Sequence, residues 1–522
     1  MKKCFLVLSA FLCIVFSSCD FNDSDSKKTV NIEIDSKSGD RIWFMAASLD
    51  SRDISASDVP YFDFASVRSV SCDSSKNKID NLNISSNLIR YDENISKKNQ
   101  EIIKNLVYKN NSRTAGYNAV EKIFNPNVSK VTEIELYDGN SDFNIETAEK
   151  KYSGTHCNVF FVDNTSGKIT VSSAILENLG NLFDKKIFPY ITDILGNFKY
   201  TPMYTNIISS PNKVNIVVAD LYYDYNKTEI EKAGIQGYFS SSDMLTDYKN
   251  QDAIIYIDSW FLRENPKSVY STLAHEFNHM LNYINKSFSK KLFFETWYTE
   301  MLSALADAMF EEYLAENLQE ENSIYMQRLP FFNTFYNLGF SNWRSETNKY
   351  FITTSYGSDV YISYGNVFAF GDFLAKNYGG FDLIKEIATN DYVNEESVLM
   401  AVRKVQKDPN ITFEDIIKDF SCVAVSNLFN DDSLPTLNKK VVYSGNKNIY
   451  LKAVKTSACY KSSDRSNSAL DILENNADSV VLGQYGFLIY GYNDSVISGI
   501  NATVDEDYDA FAYTVLGKRN SI

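Results

Sequence analysis

Histidine is the scarcest informative residue here: 3 among 522. Cationic side chains are outnumbered, 51 Lys and Arg against 67 Asp and Glu, which leaves a formal net charge of −16. A phosphate backbone requires clustered Lys and Arg, so this deficit argues against a nucleic-acid partner. Proline is rare, at 9, and the accompanying wealth of Asn, Lys, Ser, Tyr and Ile reflects coding bias rather than special chemistry. Seven cysteines in this length build no disulfide scaffold, and none stands in a C-x-x-C pair. After the first 19 residues no apolar run approaches the roughly 18 residues of a membrane span. What is plentiful is core-forming mass: 44% hydrophobic and 14% aromatic residues, which excludes a disordered chain. The length points to two to four domains.

The N-terminus reads as a targeting segment. Lys2 and Lys3 precede the apolar run "CFLVLSAFLCIVF", which ends in "FSSC" at Cys19. This resembles a bacterial lipoprotein signal with Cys19 as the lipidated residue, although Phe16 stands where the strict motif prefers Leu. The polar "DFNDSDSKK" that follows suits a flexible tether. The expectation is an exported chain, lipid-anchored at the cell envelope (outer membrane or cell surface) without spanning the bilayer. Cys4 and Cys13 leave with such a signal. Cys72, Cys157, Cys422 and Cys459 remain, and both free thiols and any of three pairings stay open.

The expected architecture is α+β and multidomain. Residues 1–19 form the signal and 20–30 the tether. An N-terminal β-rich domain runs over 31–150; alternation at Val30, Ile32 and Ile34 marks its start, and a poorly periodic stretch runs from 51 to 112. An α/β catalytic subdomain follows over 151–290. Its strands are read at "HCNVFFVD", "KVNIVVAD", "QGYFSSSD" and "DAIIYID", and its helices at 169–196 and at "NPKSVYSTLAHEFNHMLNYINK". In the second helix Asn265 is the candidate N-cap and Pro266 the first helical residue. A helical subdomain spans 291–435, beginning with the amphipathic "ETWYTEMLSALADAMFEEYLAEN". The run "EEYLAENLQEEN" within it reads as a solvated helix face. A C-terminal β domain takes 436–522.

Two of the three histidines stand four apart in "STLAHEFNHMLNYINK": His275 and His279, with Glu276 between them. Chance delivers such an H-E-x-x-H in roughly one comparable chain in a thousand. On a helix, positions i and i+4 place both imidazoles on one face, one turn apart, so both can bind one tetrahedral metal ion. Zinc acidifies water, and Glu276 stands where it can take that proton without ligating. The third ligand must come from elsewhere. His156 lies 119 residues upstream, and no histidine follows His279. The candidates are therefore acids: Glu300, which a helix–turn–antiparallel helix returns to the metal, and Glu295 at the start of that helix. Asp307, seven residues past Glu300, is a candidate acceptor for a histidine N–H.

"STLAHEFNHMLNYINK" followed by "ETWYTEMLSALAD" resembles the gluzincin metallopeptidases, and more narrowly the hyicolysin-type family. "GYFSSSDML", "DAIIYIDS" and "SYGNVFAFGDFLAKNYGG" are similar to that family's layout, over about residues 155–430. The resemblance implies a zincin-type catalytic domain with a mixed sheet, one catalytic zinc ion on His275, His279 and Glu300, Glu276 as general base, and a polypeptide substrate. It departs around Glu300, where the family's N-E-G-x-S reads Thr299-Glu300-Met301-Leu302-Ser303. It also implies a tyrosine at the oxyanion: Tyr364, with Tyr356 second. The strand "GYFSSS" would border the cleft and hold an extended peptide by main-chain hydrogen bonds. The rival class is a surface-binding lipoprotein or adhesin on a peptidase-like scaffold, and a third is a metal hydrolase of non-peptide bonds. Chelator-sensitive cleavage separates an enzyme from a binder.

Overall fold

The computed structural model describes residues 27–33, 40–49, 51, 61–63, 81–82 and 93–109 in the first part of the chain. It then describes 120–225, 235–314, 324–344, 359–429 and 434–442, apart from 128–129 and 140–141. Beyond these come 450–454, 459–460, 482–493, 499–505 and 511–519. Cys19 and the rest of the expected signal, residues 20–26 of the expected tether, Cys72 and Tyr356 lie outside the described residues, while residues 27–30, expected as tether, belong to a strand.

The fold is α+β. Its first strands are β1 (Lys27–Glu33), β2 (Asp40–Ser48), β3 (Tyr61–Asp63) and β4 (Asn81–Leu82), followed by helix α1 (Glu93–Lys109). A six-stranded mixed sheet then assembles from β5 (Val131–Tyr137), β6 (Phe143–Ser153), β7 (Cys157–Val162), β8 (Val214–Ala219), β9 (Gly237–Phe239) and β10 (Ile254–Asp258). Its order is β5-β6-β7-β8-β10-β9. Strands β7, β8 and β10 run parallel, while β9 closes one edge antiparallel to β10. The parallel strands are apolar on both faces because both faces are covered. Val159, Ile216 and Ile255 enter the large core, whereas Phe160, Val217 and Tyr256 enter a smaller one behind the sheet.

Helix α2 (Ser173–Leu182) is capped by Ser172, whose Oγ accepts from the Ile175 N–H. It continues through a π-helical turn (Phe183–Ile187) into α3 (Phe188–Leu195). Asp184 on that turn ties the helix to the sheet. Its carboxylate accepts the backbone N–H groups of Thr155, His156 and Cys157 and the hydroxyl of Tyr152. After β10 come α4 (Ser259–Glu264), α5 (Pro266–Asn282), a π-helical turn (Tyr283–Phe288) and α6 (Thr296–Leu314). The helical part continues with α7 (Ile324–Phe335), α8 (Val360–Tyr378), α9 (Gly380–Thr389), α10 (Asn394–Gln406) and α11 (Phe413–Phe429). Gly371 lets α8 approach α6 closely, since a Cβ there would stand 2.9 Å from Met301 Cγ. No helix among the described residues is long and apolar enough to cross a membrane.

Several expectations shift. The stretch read as irregular contains α1. The boundary at 150 falls inside β6, which is part of the six-stranded sheet. The two terminal segments do not form separate β domains. Of the C-terminal strands β11 (Val441–Val442), β12 (Tyr450–Leu451), β13 (Cys459–Tyr460), β14 (Phe487–Asn493), β15 (Gly499–Asp505) and β16 (Phe511–Arg519), four pair with N-terminal ones. The orders are β1-β15-β3, β14-β2-β16 and β13-β4. The acidic run at 311 is not wholly solvated either, because Glu311 is buried and accepts the N–H of Ile324. Cys157 and Cys422 are buried free thiols.

Candidate metal centre

Helix α5 starts where the sequence places it, with Asn265 at the N-cap position and Pro266 opening the first turn, although the Asn265 side chain makes no capping bond. From Thr272 to Asn282 almost every side chain is buried, His275 and Glu276 included. A helix buried on all sides needs partners on all sides. The sheet supplies one, α6 another, and the Phe183–Ile187 turn with α3 a third, where Phe277 packs against Phe183 and Phe188.

Helices α5 and α6 pack antiparallel, joined rung by rung through polar pairs. His275 Nδ1 meets Asp307 Oδ2 at 2.9 Å, Asn278 Nδ2 donates to Ser303 Oγ at 2.8 Å, and His279 Nδ1 meets Thr299 Oγ1 at 2.9 Å. Asn282 Nδ2 completes the ladder on Thr299 Oγ1 at 3.0 Å. The carboxylate of Asp307 can only accept, so His275 carries its proton on Nδ1 there. The free side of each ring, Nε2, then turns inward, and the two Nε2 atoms stand 3.1 Å apart. Glu300 Oε2 lies 3.4 Å from the first and 3.5 Å from the second. These three ligand atoms lie within 4.8 Å of one another, and among the described residues no other group of His, Cys, Asp and Glu gathers so.

Such a donor set fits a cation. Two imidazole lone pairs and a carboxylate oxygen converge on one point, and buried acceptors facing one another repel unless a positive charge lies between them. Glu300 Oε2 is buried without a hydrogen-bond partner among the described residues. Two nitrogens and one oxygen in this arrangement suit zinc.

The electrostatics agree. Burial disfavours the charged imidazolium at both histidines. At His275 the carboxylates of Asp307, Glu300 and Glu276 outweigh burial and lift the pKa to about 10, while at His279 burial wins and the pKa is lowered. Burial also works against Glu300 ionising, but His279 and His275 pull its pKa down to about 2. The pocket thus keeps an ionised carboxylate and draws a proton onto the imidazole pair, the response of a site built around positive charge.

Glu276 projects toward the sheet edge. Its Oε2 accepts the backbone N–H of Phe239 on β9 at 2.9 Å, and burial, opposed by His275, lifts its pKa to about 8. Strand β9 reaches this position because residue 237 is glycine. A Cβ there would stand 2.7 Å from Tyr256 O and 3.2 Å from Thr272 Cγ2.

The structure therefore brings His275, His279, Glu276, Glu300 and Asp307 together. Glu295 is turned elsewhere, accepting the Trp297 indole N–H at 2.8 Å. His156 stacks on Phe188 at 4.0 Å. Tyr364 is not among the gathered groups. It is buried on α8 in a satellite cluster with Phe331 and Tyr361, edge-on to Trp343 at 5.0 Å and under the Arg328 guanidinium at 4.5 Å. Nearly all of α8 is buried, so a tyrosine preceding a glycine there is the signature of packing as much as of catalysis. Thr299 and Asn282 went unread in the sequence. The available signal was a hydroxyl residue one position before the third acid.

Fold and site define an α+β protein with a helix-borne H-E-x-x-H and a third acid on the next, antiparallel helix. The chain belongs to the Peptidase M30 family, whose family model matches residues 141–437, more than half of its length. It is 27% identical over 288 residues to the neutral metalloprotease ShpI of Staphylococcus hyicus, an alignment covering 53% of this chain and 58% of that protein. The chain thus spans less than two thirds of the length of that relative.

Proposed function

We propose that this chain is a zinc metallopeptidase with a gluzincin-type zincin centre. The observation that carries the reading is the convergence of His275 Nε2, His279 Nε2 and Glu300 Oε2 beside a buried Glu276. Zinc held by these three residues would polarise the scissile carbonyl and acidify the attacking water. Glu276 takes the water proton and passes it to the leaving amine, and a carboxyl whose pKa burial has raised is suited to both steps. The Phe239 N–H fixes the carboxylate's orientation. Asp307 and Thr299 hold the imidazoles so that both Nε2 atoms face inward. The substrate is an extended polypeptide that adds to the β9 edge of the sheet. The same reading carries export and a lipid anchor on Cys19, supported by the N-terminal sequence alone.

The test is direct. The purified chain should hold one equivalent of zinc and cleave casein or gelatin, and a chelator should abolish the cleavage. Binding of polypeptide with no turnover under zinc-replete conditions would instead favour the adhesin.

A further inference from the structure

Helix α1 lies across the free edge of the six-stranded sheet. Its buried stripe is Ile95, Asn99, Ile103 and Leu106, residues that share one helical face. Ile95 packs into the core behind the sheet, while Ile103 and Leu106 pack into the large core on the other side. The helix therefore crosses the sheet edge at Asn99, the one polar member of the stripe.

There the Asn99 carboxamide does what a neighbouring strand would do. Its Nδ2 donates to Phe239 O at 2.8 Å, and its Oδ1 accepts from Ser241 N at 2.7 Å and from Ser241 Oγ at 2.9 Å. A carbonyl at one residue and an amide two residues on are the groups an edge strand offers to an added strand. The Phe239 N–H is already taken by Glu276. Main-chain groups that an extended substrate needs are thus occupied by α1 beside Glu276. Beyond the stripe, Ile102 and Val107 pack partly buried against the large core, Lys98 lies over the Phe143 ring at 4.1 Å and Tyr108 meets Phe293 at 5.8 Å, while Lys97, Glu101, Lys104 and Asn105 are exposed.

We propose that α1 is a built-in cover of the substrate-binding edge, and that it must leave β9 before a polypeptide can add to the sheet. This rests on the peptidase reading above, in which β9 receives the substrate. The covered chain is then a restrained form of the enzyme, and whatever displaces or removes α1 activates it.

Asn99→Ala in the full zinc-loaded chain tests this by three readouts: hydrogen exchange, binding of a reduced, unstructured casein peptide, and casein cleavage. Exchange should rise over 237–241 and 93–109 while β10 stays protected. Peptide affinity and kcat/KM should each rise roughly tenfold, through KM, as the open population grows. Faster exchange with peptide affinity and kcat/KM unchanged or lowered would overturn the proposal and leave α1 a structural edge cover. Because the variant can fail to fold, the wild-type chain provides a second measurement: saturating casein peptide should speed exchange in α1, and unchanged or stronger protection there would overturn the cover. Tighter peptide binding by the variant with no cleavage by either protein upholds the cover and sinks the peptidase reading. Equal, chelator-sensitive cleavage by both proteins does the reverse.

Discussion

His275 and His279 differ in what grips the second ring nitrogen, a buried carboxylate in one case and a threonine hydroxyl in the other. A charged acceptor raises imidazole basicity more than a neutral one. Asp307→Ala is therefore predicted to weaken zinc binding by roughly 10–100-fold, and Thr299→Val toward the lower end of that range. Thr299→Ser should restore the affinity. Competition with a chromophoric chelator measures all three, and an equal loss for Asp307→Ala and Thr299→Val would refute the ranking. Glu276 accepts from Phe239 and takes no place among the three converging atoms. Glu276→Gln should thus keep one equivalent of zinc yet lose at least about 100-fold in casein cleavage. If cleavage survives, Glu276 is not the base. The histidines, Glu276, Glu300 and Asp307 were legible in the sequence because histidine is scarce and helical spacing is rigid. Thr299 was not, since a single hydroxyl carries little signal among many. The Phe239 N–H could not be, because backbone amides are anonymous in a sequence.

At the scale of elements, strongly patterned segments were read well. The parallel strands came from short apolar runs, and α5 from its proline start and apolar companions. Helix α1 was missed because its buried stripe is short and interrupted by Asn99, so "ENISKKNQEIIKNLVYK" reads as polar. What Asn99 satisfies is a strand 140 residues away, which no local window contains. Asp184 is a similar long-range device. It accepts three consecutive backbone N–H groups where β7 begins, donors that a strand start otherwise leaves to water or to nothing. Asp184→Ala should destabilise the protein by about 2–4 kcal/mol, because charge-assisted bonds are lost and the Cys157 N–H is left buried. The urea midpoint measures this. A change under about 0.5 kcal/mol, typical of exposed sites, would mean that solvent replaces the carboxylate.

Across the whole molecule, the sequence suggested beads in order: a β-rich start, a catalytic middle and a β domain at the end. The structure joins the ends instead. Strand β2 runs between β14 and β16, pairing Phe44 with Tyr490 on one side and Val515 on the other. Strand pairing at such sequence separation leaves no local trace, since each strand alone shows only its alternation. The joined strands also belong to the core that carries the candidate metal centre. Phe487 on β14 is fully buried, stacked on Tyr336 at 5.0 Å and edge-on to Phe420 at 5.9 Å. Met45 and Ala47 on β2 enter the same core as α5 and α6. Truncation to 20–435 would therefore strip β2 of both partners and uncover Phe420 and Tyr336, rather than release an independent domain. The truncated chain should aggregate or bind ANS and lack the cooperative melt of the full-length protein. Phe487→Ala tests the same coupling more gently. Loss of a buried phenylalanine costs about 3–5 kcal/mol, so the variant should unfold as one unit at lower denaturant and release its zinc in the same transition. A soluble, zinc-binding 20–435 fragment with an undiminished melting temperature would show that the terminal sheet is an appendage and that the catalytic core ends near residue 435.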